Sequence, residues 1–145
     1  MKKLALLSTC LLIAVVSLAN DKSFKQFNDT KVHFSAFNSN FIDPQIASTY
    51  NIVRGNDKGL VNIAVVDDGK SGGRTARVTG TVSNIFAQQQ VLNFFEVREG
   101  DAVYYLAPFE FEHEDAMTFN IQVVTDPAEP AKNIKFQRIF YHDDK

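Results

Sequence analysis

From about residue 30 onward the chain alternates apolar and polar side chains with period two, the mark of strands that bury one face. Met117, Phe119, Ile121 and Val123 alternate with Thr118, Asn120 and Gln122. Ile134, Phe136 and Phe140 alternate with Lys135, Gln137 and Tyr141, broken only at Arg138. Val32, Phe34 and Ala36 form a third series, and Ala76, Val78 and Val82 a fourth. Leu60 to Val66 is apolar on both faces apart from Asn62, which predicts a central strand. Val91–Val97 and Val103–Ala107 complete a set of seven main strands.

Turn chemistry separates them at antiparallel spacing. Gly55–Gly59 and Asp67–Gly73 supply residues that tolerate positive φ. Arg98-Glu99-Gly100-Asp101 predicts a tight hairpin, and Pro127 and Pro130 interrupt the chain before the last strand. One short helix is expected at Pro44–Tyr50, capped by the Asp43 side chain, with Ile46 and Tyr50 on its buried face. The segment Asn20–Asn28 is expected to be a loosely attached lead-in. This pattern predicts an all-β fold, an antiparallel β-sandwich of immunoglobulin-like type, with a small closed barrel as the alternative.

The first nineteen residues differ from all of this. Lys2 and Lys3 precede an apolar run from Leu4 to Val16, and Ser17-Leu18-Ala19 offers small residues at a peptidase site. This is the pattern of an export signal cleaved after Ala19. It predicts a periplasmic protein with a single domain over residues 20–145 and no transmembrane segment in the mature chain. Cys10 is the only cysteine, so no disulfide is available to the exported domain. Thr9 before it and the apolar run after it argue against a lipoprotein site.

Charge narrows the partner classes. The net formal charge is −2, and removing Lys2 and Lys3 makes it about −4, which gives no attraction for nucleic acid or anionic lipid. Thirteen Phe and no Trp predict a phenylalanine-rich core. Each buried Phe contributes roughly 1.5–3 kcal/mol.

Candidate chemistry is sparse. Glu110-Phe111-Glu112-His113-Glu114-Asp115 is the densest group of ligating side chains. If it were extended, Glu110, Glu112 and Glu114 would share one side and could hold calcium. The plainer reading is an acidic, solvated hairpin tip. Nothing in the sequence brings His33, His113 and His142 together, and Tyr141–Asp144 reads as a frayed polar tail. Asp67–Ser71 lacks the glycine and helix of a phosphate-binding loop, and no nucleophile elbow occurs.

Three stretches carry a family resemblance: Ser35–Tyr50, Gly59–Ile63 and Arg98–Leu106, with Phe136–Tyr141 in support. They resemble the DUF4426 family of small exported proteins from gamma-proteobacteria. The resemblance implies a secreted β-sandwich, and it carries over neither an activity nor site residues.

The leading expectation is a non-enzymatic periplasmic interaction module binding a protein or cell-envelope partner. Its candidate binding residues are Asn38, Asn40 and Phe41 in the polar segment up to Tyr50, and Tyr104 and Tyr105. That segment also reads as a structural plug covering one open end of the sandwich. The alternative is a small-ligand or calcium-binding protein using a Phe-lined cavity or the Glu110, Glu112, Glu114 group.

Overall fold

The computed structural model describes residues 23–143, so the leader and its cleavage point lie outside the described residues. Nine strands are present among them: β1 (Phe24–Phe27), β2 (Thr30–Asn38), β3 (Lys58–Asp67), β4 (Arg77–Ser83), β5 (Gln89–Leu92), β6 (Phe95–Glu99), β7 (Ala102–Glu110), β8 (Asp115–Val124) and β9 (Lys132–Phe140). They pair antiparallel in a five-stranded sheet ordered β1-β2-β3-β7-β6 and a four-stranded sheet ordered β5-β4-β8-β9. No ladder joins the two sheets among the described residues, so the chain is a β-sandwich and the closed barrel is set aside.

Alternation places the core between the sheets. Val61, Ile63 and Val65 of β3 face inward opposite Ala36, Phe34 and Val32 of β2. Met117, Phe119, Ile121 and Val123 of β8 meet them from the other sheet, and all four are buried. At one end the rings of Phe109, Phe119 and Phe140 pack edge to face, with centroids 5.1 Å apart for Phe109–Phe119 and for Phe109–Phe140. The interruption at Arg138 now has a cause. It occupies an inward position at the edge of the sandwich, and its guanidinium donates to the Ala36 carbonyl of the facing sheet.

Two expectations about strands are corrected. Val91–Val97 is not one strand. The chain pairs with β4 up to Leu92, crosses at Asn93–Phe94, and pairs with β7 from Phe95. The lead-in is not loose either. Phe24–Phe27 folds back on β2 through a turn at Asn28 (φ 50°), and Phe27 packs against the core.

The helix α1 runs Pro44–Thr49, and the Asp43 carboxylate accepts from the Gln45 N–H at 2.8 Å. Its buried residue is Ala47, whereas Ile46 is 39% exposed. Tyr50 follows the helix and stacks on Phe95.

Candidate functional site

The topology gathers four segments at one end of the sandwich: the β2–β3 connection (39–57), the β4–β5 turn (84–88), the β7–β8 turn (111–114) and the tail after β9. The first of these does not sit over the open core. Leu60, Val97 and Leu106 point to the outer face of the five-stranded sheet, away from the main core, yet are only 0%, 4% and 7% exposed. They are covered by the 39–57 connection, which buries Ala47 and stacks Tyr50 on Phe95. The segment is therefore a cover laid on a sheet face, which corrects the expectation of a plug over an open end.

Its neck is closed by polar contacts. Buried Ser39 accepts the Gly55 N–H at 3.0 Å through Oγ, and Arg54 donates to the Asn40 carbonyl at 3.0 Å. Such closure makes a compact loop whose ends are pinned together. Asn38 donates to the Tyr141 carbonyl at 3.0 Å, and Asn38 and Asn40 both donate to the Asp143 carboxylate. Asn38 and Asn40 are thus structural anchors. The tail they hold is docked through Asp143, which corrects the expectation of a frayed end.

Between this cover and the sheet lies a cleft of about 280 Å³. Ile52, Val53, Phe95, Pro108 and Phe109 line it, and the Lys58–Glu110 ion pair stands at 2.9 Å among its polar residues. The hydrogen bond to Glu110, helped by the charge of Asp57, outweighs partial burial and raises the Lys58 ammonium above its ordinary value. Gln90 fixes Glu110 from the other sheet: its amide accepts the Glu110 N–H at 2.8 Å and donates to the Glu110 carbonyl at 2.7 Å. The pattern mimics a strand pairing.

The remaining sequence candidates fare differently. Phe41 is 75% exposed on the cover. Tyr105 is buried and its hydroxyl accepts the Ala76 N–H at 2.9 Å, so it ties one end of the sandwich instead of facing solvent. Tyr104 is half-buried on the outer face opposite Val97. The Glu110–Asp115 stretch is not extended. It turns after Glu110, buries Phe111, places Glu114 at φ 55° and bonds the Glu112 N–H to Asp115 at 3.0 Å. Glu110, Glu112 and Glu114 therefore do not share one side. Among the described residues no three His, Cys, Asp or Glu side chains gather to hold a metal, so the calcium reading loses its geometric basis.

Sequence reasoning missed two groupings. The β8–β9 register, which pairs Asp115 with Phe140, brings His113 alongside His142: the His142 N–H donates to His113 Nδ1 at 3.1 Å. His33 lies elsewhere, on β2 against Phe24. Exposed apolar side chains form the second grouping. Among the described residues, Phe41, Ile46, Val53, Ile85, Phe86 and Tyr141 make up six of the nine large exposed hydrophobic residues, and all six belong to the segments that leave the strands at this end.

The DUF4426 model, described as a domain of unknown function, matches residues 24–143. The chain belongs to the DUF4426 family. The crystal structure of a DUF4426 family protein from Pseudomonas aeruginosa PAO1 is similar, at 31% identity and a TM-score of 0.74, over 83% of this chain and 95% of that one. FetP of uropathogenic Escherichia coli strain F11, recombinantly expressed in the periplasm, superposes with a TM-score of 0.56 at 9% identity, over 83% of this chain and 94% of that one. At that identity the likeness is one of fold alone. No curated protein matches the DUF4426 chain.

Proposed function

We propose that this DUF4426 protein is an exported, non-enzymatic interaction module that docks a protein partner with the loop end of its sandwich. The observation that carries this is that Phe41, Ile46, Val53, Ile85, Phe86 and Tyr141, all exposed, belong to the connections and tail that leave the strands at this end. Exposed large apolar side chains are normal when scattered singly, but six of them on the segments of one end, and few elsewhere among the described residues, support a surface that is covered part of the time. Rigidity supports the reading. Asn84 caps its own turn, its Oδ1 accepting the N–H groups of Phe86 and Gln88, both at 3.0 Å. The turn also holds Ala87 at φ 60°, so Ile85 and Phe86 are held out in one fixed arrangement instead of folding back.

Export rests on the leader sequence. The test is photocrosslinking in cells with a photoreactive residue at Phe41 or Phe86, and at Gln122 or Lys135 as exposed sheet-face controls. The expected result is a common covalent adduct from the two loop positions only. Absence of any adduct from both loop positions, or the same adducts from the controls, would overturn the proposal.

A further inference from the structure

The cleft has a neighbour of opposite character. A groove of about 300 Å³ is lined by four carboxylates, Asp57, Glu110, Glu112 and Asp115, together with Asn84 and Gln88 at the base of the Ile85–Phe86 turn. Glu110 belongs to both the cleft and the groove, so the apolar and acidic depressions adjoin. Lys58, which lines the cleft and not the groove, pairs with Glu110 at 2.9 Å and stands 3.9 Å from Asp57. Asp115 spends one oxygen on the Glu112 N–H. The Glu112 side chain is exposed. Four negative charges against one positive leave the groove net acidic.

We infer that this bipartite site takes a polypeptide segment in which an aromatic or large aliphatic anchor stands beside Arg or Lys. The inference rests on the reading of this end as a docking face and specifies the chemistry of the partner. The anchor enters the cleft, whose volume suits one large side chain, against Val53, Phe95 and Pro108. The neighbouring cation reaches the groove and meets Asp57 and Glu112. The carboxylates do not converge tightly enough for a metal ion, but a guanidinium or ammonium on a flexible stem needs no such convergence. An anionic membrane surface is disfavoured by the same charges, and so is a second copy of this chain, whose equivalent end would bring like charges together. Complementary charge then selects the partner while the apolar anchor supplies most of the affinity.

The experiment is fluorescence anisotropy of the purified protein with three labelled pentapeptides: Gly-Arg-Trp-Arg-Gly, Gly-Glu-Trp-Glu-Gly and Gly-Arg-Ala-Arg-Gly. Saturable binding is expected for the first alone, weakening several-fold between about 50 and about 300 mM salt as screening shortens. The double change Asp57→Asn, Glu112→Gln is expected to weaken it about tenfold and remove most of the salt dependence. Val53→Asn is expected to weaken it about fivefold with the salt dependence intact. These three positions are exposed, so unchanged melting curves confirm that the variants fold. Equal binding of the Glu-flanked peptide, no saturation below about 1 mM, or indifference to both variants would each overturn the inference. Photocrosslinks at Phe41 and Phe86 without peptide binding would refute the partner chemistry and leave the docking face standing.

Discussion

Gly59 sits directly opposite Phe109 in the β3–β7 ladder, and its lack of a side chain is what admits that ring. A Cβ at Gly59 would lie 2.3, 2.7 and 2.8 Å from Cζ, Cε1 and Cε2 of Phe109. Carbon atoms pack at about 3.5–4.0 Å, so the ring must retreat by roughly an ångström to accept a methyl group. It has little room, because the rings of Phe119 and Phe140 stand 5.1 Å away and that of Phe111 6.0 Å. On an open strand Gly→Ala stabilises by about 0.5–1 kcal/mol. Here overpacking reverses the sign, and Gly59→Ala is expected to cost about 2–3 kcal/mol. That corresponds to a Tm lower by roughly 6–15 °C for a domain of this size. The assay is equilibrium urea unfolding of Gly59→Ala, Phe109→Leu and the double variant. Shrinking the ring should relieve the collision, so the double variant should be less destabilised than the sum of the singles by about 1–2 kcal/mol. A Gly59→Ala protein as stable as the parent, or additivity within about 0.5 kcal/mol, would refute the reasoning. Phe109 also lines the cleft, so the substitution should weaken anchor binding along with stability.

Three further outcomes follow from single contacts. Tyr105→Phe strands the Ala76 N–H and should lower stability by about 1–3 kcal/mol in urea unfolding; a loss under about 0.3 kcal/mol would mean the amide finds another partner. For Asp67, burial disfavours the charge, but hydrogen bonds from Thr30 at 2.9 Å and Arg74 at 3.1 Å, with the charges of Arg74 and Lys70, outweigh it and hold the carboxyl below its ordinary value. A depressed acid contributes stability that is full above its unfolded value and is lost as pH falls through its folded one. Asp67→Asn should therefore be less stable at neutral pH and lose less on acidification, and parallel pH profiles for the two proteins would contradict this. Asn38→Ala removes the donor to Tyr141 and Asp143 and should speed amide exchange of the tail about fivefold to tenfold with β9 unaffected; unchanged exchange would mean Asn40 alone holds it.

Much of this molecule is determined by local sequence. Period-two alternation specifies strands because side chains leave a pleated backbone on alternate faces, and β2, β4, β8 and β9 were legible for that reason, while the apolar run of β3 marked a central strand. The cap at Asp43 and the hairpin at Gly100 are equally local, since each depends on residues within a turn of one another. Tertiary structure decided the rest. Alternation describes which side a residue faces but not which sheet it joins, so the crossing at Asn93–Phe94 and the pairing of Phe24–Phe27 emerge only when ladders are formed. Leu60, Val97 and Leu106 required a cover, and only the folded chain reveals that residues 39–57 provide it. The candidate site is the least local feature. Glu110 meets Gln90 and Lys58 because two sheets stack and two strands pair, and contacts between residues 20 and 52 positions apart leave no periodic trace in the chain.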